Sequence, residues 1–175
     1  MKKHIPNILT ISRIILVIIS SFVLLNNNYT VGIILLLVAA LTDFFDGYFA
    51  RRFNASSMLG AKLDQLSDKL FSFVIGFVLI ILGNKYLILT FIIEFIFSLI
   101  VSIQSYKLKE WQESTKHGKI KITFLFITII LGTIILKTEA FNILFIVIWA
   151  ITIIIQLYAN GKINIDLYKE IKKKK

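Results

Sequence analysis

The chain has 175 residues, 57% of them hydrophobic, with one proline, no cysteine and a formal net charge of +10; its mean hydropathy is +0.83. So much apolar surface excludes an ordinary soluble domain, and the lack of cysteine excludes disulfides, a thiolate metal site and a cysteine nucleophile. Nucleic acid is not the expected partner, because the positive charge is distributed according to the apolar segments rather than gathered in one binding patch.

Apolar runs at 14–25, 31–41, 71–82, 86–103, 122–136 and 141–158 approach or reach the ~20 residues that a helix needs to cross a bilayer. We read an all-α integral membrane protein, a single domain over residues 1–175, with six transmembrane helices. Pro6 suits the first turn of helix 1, where its missing N–H costs nothing. Residues 5–25 could pass for a signal peptide, but Arg13 interrupts the core and no small-x-small cleavage site follows, so a retained helix is expected. Asn26, Asn27 and Asn28 mark the turn into helix 2, which starts near Thr30 and carries Asp43 and Asp46 at its far end. Arg51, Arg52 and a polar connection follow. Helix 3 begins near Leu59, holds Asp64 and Asp68 in its opening turns, and stops at Gly83 and Asn84. Helix 4 runs from Tyr86 to about Tyr106 and contains Glu94. The polar stretch 107–121 reads as a cytoplasmic loop, with a short surface helix as an option within it and Trp111 at headgroup depth. Helices 5 and 6 offer few polar groups to read.

The basic residues orient this bundle. The loops at 26–30, 83–85 and 137–140 hold only Lys85 and Lys137 of the 20 lysines and arginines. The opposite side holds Arg51, Arg52, Lys62, Lys107, Lys109, Lys116, Lys119, Lys121 and the lysines at 172–175. Positive residues stay cytoplasmic, so both termini are expected inside a cytoplasmic membrane, and the terminal lysines suit anionic lipid headgroups.

Asp43 and Asp46 are spaced i, i+3, and Asp64 and Asp68 i, i+4, so each pair shares a helix face. Topology brings both pairs to the cytoplasmic ends of helices 2 and 3. Four carboxylates together repel unless cations neutralise them, and an oxygen-only donor set suits Mg²⁺ or Mn²⁺. Gly47, Ala50 and Gly60 leave clearance for a ligand, and Arg51 can fork onto phosphate. Arg13 and Glu94 lie within helical spans: Arg13 is read as functional or as snorkelling to the surface, and Glu94 as a site residue or an interhelical partner, with Arg13 the pairing considered. His117 is read as a loop histidine without a catalytic part.

The series Asp43-x2-Asp46-Gly47-x2-Ala50-Arg51-x8-Gly60-x3-Asp64-x3-Asp68 resembles the complete signature of the CDP-alcohol phosphatidyltransferases. The resemblance implies six transmembrane helices, a homodimer, and transfer of a phosphatidyl group from CDP-diacylglycerol to a polar alcohol with release of CMP. It also implies that Asp43, Asp46, Asp64 and Asp68 hold two divalent ions. By the same likeness Asp68 is the general base, and Asp46, Gly47, Ala50, Arg51 and Gly60 face the CDP diphosphate. The opening from His4 to Arg13, with Asp68-Lys69-Leu70 and Gly118-Lys119-Ile120-Lys121, is similar to the members that use glycerol 3-phosphate, with Lys119 and Lys121 as acceptor-phosphate ligands. The chain departs from those members at Ile93, where an arginine would precede Glu94, at Gln104 and Ser105, where another arginine is usual nearby, and at Gln65 in place of a proline. Phosphatidylglycerol, inositol phosphate and serine are therefore kept as alternative acceptors. A small cation carrier or channel is the alternative of another class.

Overall fold

The computed structural model describes residues 5–52, 58–108 and 115–173. The readings made above for His4, Lys109, Trp111, the connection at 53–57 and the lysines at 174–175 lie outside the described residues. So do the side chains of Asp46, Ala50 and Arg51 and the surroundings of Gly47, although their backbone belongs to a described helix.

The described residues form helices and short turns: α1 (Ile5–Leu25), α2 (Tyr29–Arg52), α3 (Met58–Leu70), α4 (Gly76–Ile81), α5 (Leu87–Leu108), α6 (Lys116–Ile135) and α7 (Asn142–Lys173). A π-helical turn, Phe71–Ile75, joins α3 to α4 without a break, so the seven segments make six rods. Four of these are long and apolar enough to cross a membrane: α1, α5, α6 and α7. The other two carry the aspartates. In α2 the shorter apolar stretch is Tyr29–Asp43, and α3 opens with Lys62, Asp64 and Asp68. The chemistry that marks these two rods is what lowers their apolar character.

The first hairpin shows how local sequence sets the packing. Asn27 takes a left-handed backbone, φ 59°, which asparagine tolerates. The Asn28 side chain accepts the Val31 N–H at 3.3 Å and starts α2. One turn on, Gly32 lets α2 close onto α1: a Cβ there would stand 2.4 Å from Leu24 Cδ2, and Leu24 is fully buried. Gly83, φ 104°, makes the corresponding tight turn before α5. Asn84 then donates to the Gly132 carbonyl at 3.1 Å and pins that turn to α6.

The core joins all the rods through Val17, Leu36, Phe71, Ile75, Leu79, Leu87, Phe126, Ile129 and Phe145. Phe71 lies three residues beyond Asp68 and packs its ring 4.0 Å from that of Phe126. Its place at the start of the π-helical turn lets Phe71, Ile75 and Leu79 all bury in one core. Outside, isoleucine, leucine and phenylalanine remain exposed along α1, α5 and α7. Only 11% of the apolar window of α5 is buried, a pattern that fits lipid tails and not water.

Two boundaries differ from the sequence reading. The last helix continues past Tyr158 to Lys173 and has 32 residues, about 48 Å at the α-helical rise against a hydrocarbon core of ~30 Å. The apolar run at 141–158 marks the lipid-compatible part, while Leu167, Lys169 and Glu170 are adequate helix formers beyond it. At the start of α6, Thr115 accepts the Gly118 N–H at 3.1 Å, an N-cap that begins the helix at Lys116 and not at the apolar run. His117 therefore belongs to a helix, its ring edge-on to Tyr158 at 5.6 Å.

Candidate active site

Asp43 on α2 and Asp64 and Asp68 on α3 converge, each offering a carboxylate oxygen within 4.8 Å of the others. The i, i+4 spacing puts the α3 pair on one face, and the packing of α1 against both α2 and α3 brings that face to Asp43. At the centre lies Arg13 from α1, fully buried. Its guanidinium donates to Asp43 Oδ1, to Asp68 Oδ1 at 2.7 Å and to Asp64 Oδ1 at 2.8 Å. A planar fork of five N–H donors can serve three carboxylates at once, which a lysine ammonium does less well. Arg13 does not reach out to the membrane surface; it is a counter-charge inside the cluster.

Three carboxylates against one guanidinium leave the cluster anionic. Octahedral oxygen coordination at about 2.1 Å sets neighbouring ligand oxygens about 3 Å apart and opposite ones about 4.2 Å apart. Oxygens already within 4.8 Å need move little to meet that geometry. With no nitrogen or sulfur donor in the cluster among the described residues, the residues fit a small, hard divalent cation.

Beside Asp68 opens a cavity of about 150 Å³ between α3, α5, α6 and α7. Gln65, Asp68, Ser72, Glu94, Ser98, Lys121 and Asn160 bring polar groups to it, and Phe97, Val101, Ile122 and Ile163 form apolar wall. Lys121 is buried. Its Nζ donates to Glu94 Oε1 at 2.7 Å and to Asn160 Oδ1 at 3.1 Å. Gln156 Nε2 donates to the other Glu94 oxygen at 3.2 Å.

These contacts correct the suggested pairing of Arg13 with Glu94. The arginine serves the aspartates, and Glu94 is held by Lys121 and Gln156. They also separate the two lysines read as acceptor ligands. Lys121 lines the cavity, whereas Lys119 is exposed. Residues two apart on a helix do not share a face, which accounts for the split. Gly60 lies in the first turn of α3. The sequence reading missed Gln156 and Asn160. The available signal was a stripe of polar residues four apart, Thr152, Gln156, Asn160 and Asn164, along an apolar helix.

A multi-helix membrane architecture with clustered carboxylates beside a polar cavity defines the class. The chain belongs to the CDP-alcohol phosphatidyltransferase family, whose description matches residues 3–155. A CDP-diacylglycerol–glycerol-3-phosphate 3-phosphatidyltransferase of Aquifex aeolicus is 44% identical over 70 residues, 40% of this chain and 39% of that one. The protein so named from Wigglesworthia glossinidia brevipalpis is 34% identical over 131 residues, 71% of this chain and 69% of that one. A probable cardiolipin synthase (CMP-forming) of Drosophila melanogaster is 43% identical over 67 residues, 38% of this chain and 21% of that one. The match thus spans about two fifths of the Aquifex relative. No solved structure matches the chain.

Proposed function

We propose that this chain transfers a phosphatidyl group from CDP-diacylglycerol to a polar alcohol, foremost glycerol 3-phosphate, and releases CMP in phospholipid synthesis. The observation that carries the reading is the convergence of Asp43, Asp64 and Asp68 beside a polar cavity, within a complete family signature. The names of the Aquifex and Wigglesworthia relatives favour glycerol 3-phosphate as acceptor.

Asp43, Asp46, Asp64 and Asp68 would hold two divalent ions, Mg²⁺ or Mn²⁺, whose charge offsets that of the diphosphate and of departing CMP. Asp46, Gly47, Ala50, Arg51 and Gly60 would contact the CDP portion. Asp68 borders both the carboxylate cluster and the cavity, which suits a general base. It takes the acceptor hydroxyl proton as the oxygen attacks the phosphorus bound to diacylglycerol, and the bond from that phosphorus to CMP breaks. Positioning and charge supply most of such catalysis. The setting is six membrane spans in one domain, with both termini and the site at the cytoplasmic face, in a homodimer.

The same chemistry with another acceptor is the second reading, favoured by the cardiolipin synthase relative and by Ile93 in place of an arginine. Purified protein in lipid nanodiscs, given labelled CDP-diacylglycerol, Mg²⁺ or Mn²⁺ and a panel of alcohols, should release CMP with glycerol 3-phosphate. Silence with every alcohol from folded protein would sink the transferase reading. Asp68→Asn should remove turnover and leave folding largely intact; an active variant would remove the base assignment.

A further inference from the structure

Helix α1 supplies no carboxylate to the aspartate cluster, yet it supplies the group at its centre. Arg13 is fully buried, and an ionised group at membrane depth is costly enough to point to use. Its Nη1 donates to Asp43 and Asp68 and its Nη2 to Asp64, in each case at Oδ1. The guanidinium grips from inside the bundle, whereas Asp43 and Asp64 remain partly exposed. A cation can therefore arrive from the solvent side. A carboxylate has two oxygens and about four lone-pair sites, so an N–H bond at one oxygen leaves it able to take a metal ion.

A guanidinium that shares its carboxylates with a divalent ion acts on that ion in two opposing ways. It gathers the carboxylates beforehand, which favours binding, and it repels the incoming positive charge. Repulsion scales with the product of the charges, so a doubly charged ion beside a poorly hydrated guanidinium makes it the larger effect. Arginine cannot relieve it by losing a proton, because the guanidinium stays charged at any working pH. Four aspartates and two divalent ions alone would be neutral; the guanidinium leaves the loaded site positive. A diphosphate, itself an anion, removes that excess.

Resting on the transferase reading and its two ions, we propose that Arg13 is a positioning residue that weakens cation binding until the diphosphate arrives. It holds Asp43, Asp64 and Asp68 from within, and its charge keeps the donor-free site from taking its ions tightly. The diphosphate offsets that charge, so ions and donor load together. A direct fork onto the donor, the usual work of an arginine beside phosphate, does not suit Arg13. Its side chain has no exposed surface and is turned into three carboxylates.

The test reads Mn²⁺ binding to the full chain in zwitterionic nanodiscs by electron paramagnetic resonance, with and without CDP as a soluble diphosphate. Without CDP, Arg13→Gln should bind Mn²⁺ about tenfold more tightly than the wild type. With CDP the two should agree within about threefold, because the guanidinium then attracts the anion as it repels the ion. Arg13→Lys keeps the charge and should stay within about threefold of the wild type in both conditions. Damage to the fold spreads the carboxylates and weakens binding, so a gain in affinity cannot come from misfolding. A thermal arm needs no stable cation-free variant: over one Mn²⁺ series the unfolding midpoint of Arg13→Gln should climb by more degrees than that of the wild type. Equal or weaker Mn²⁺ binding by Arg13→Gln, a matching gain in Arg13→Lys, a gain undiminished by CDP, or parallel thermal curves would each overturn the proposal. The expected shifts in a chain that transfers nothing to any alcohol would support it and sink the transferase reading.

Discussion

Arg13→Gln removes a fully buried guanidinium bonded to Asp43, Asp64 and Asp68. The three pairs do not weigh equally. The Asp68 side chain is 12% exposed, so removing the guanidinium from this nearly buried carboxylate costs about 3 kcal/mol. Asp43 and Asp64 are 36% and 43% exposed, water screens them, and each pair contributes about 0.5–1 kcal/mol. Together these predict a loss of about 4–5 kcal/mol. In a chain of this size, that lowers the midpoint of thermal unfolding by about 10–20 °C. The assay is thermal unfolding in nanodiscs with excess chelator, followed by tryptophan fluorescence. Added Mg²⁺ returns a counter-charge to the carboxylates and should rescue the variant more than it stabilises the wild type. Arg13→Lys should recover only part of the loss, because one ammonium cannot match the planar fork. A variant midpoint within about 2 °C of wild type in chelator would refute the argument that the guanidinium holds the cluster together.

Three further outcomes are expected. Chelation of divalent cations should abolish CMP release and Mg²⁺ or Mn²⁺ restore it; full turnover in excess chelator would remove the metal assignment. Glu94→Leu should destabilise by about 3–5 kcal/mol because Lys121 stays buried without its carboxylate, and adding Lys121→Met to it should regain most of that loss, with Lys121→Met alone closing the cycle. Strict additivity in that cycle, measured by chemical unfolding, would show that the pair is not coupled. Gly32→Ala should cost about 1–3 kcal/mol, since the new methyl meets Leu24 at 2.4 Å and the buried leucine has little space to yield. Leu24→Ala in the same background should relieve the clash; an unchanged unfolding midpoint in the single variant would show that the helices do not approach so closely.

Much of the bundle was legible because bilayer physics acts on local sequence. A membrane helix satisfies its own backbone and shows its apolar side chains to lipid, so each apolar run marks one of the six rods, although several rods extend well beyond their runs. The asparagine turn, Gly83 and the two aspartate pairs are local signals of the same kind. The helix ends at Lys116 and Lys173 were less legible, because hydropathy reports the lipid boundary and capping reports the helix boundary. The π-helical turn after Leu70 carried no local sign; it serves the burial of Phe71 and Ile75 against α6, a tertiary demand.

For this protein the sequence by itself determined the chemistry on offer: four aspartates at fixed spacing, small residues and an arginine among them, in helices suited to a membrane. Those properties depend on residues within a few turns of one another. The tertiary structure alone decided who meets whom. From sequence, Arg13 is either functional or snorkelling, and Glu94 is either a site residue or a partner for Arg13. Packing instead set Arg13 between α2 and α3 among the carboxylates and gave Glu94 to Lys121 from α6 and Gln156 from α7. A side chain's charge is written in the sequence, but its partner depends on which helix faces the rods present, and that is fixed by shape contacts such as Gly32 on Leu24 far from either charge.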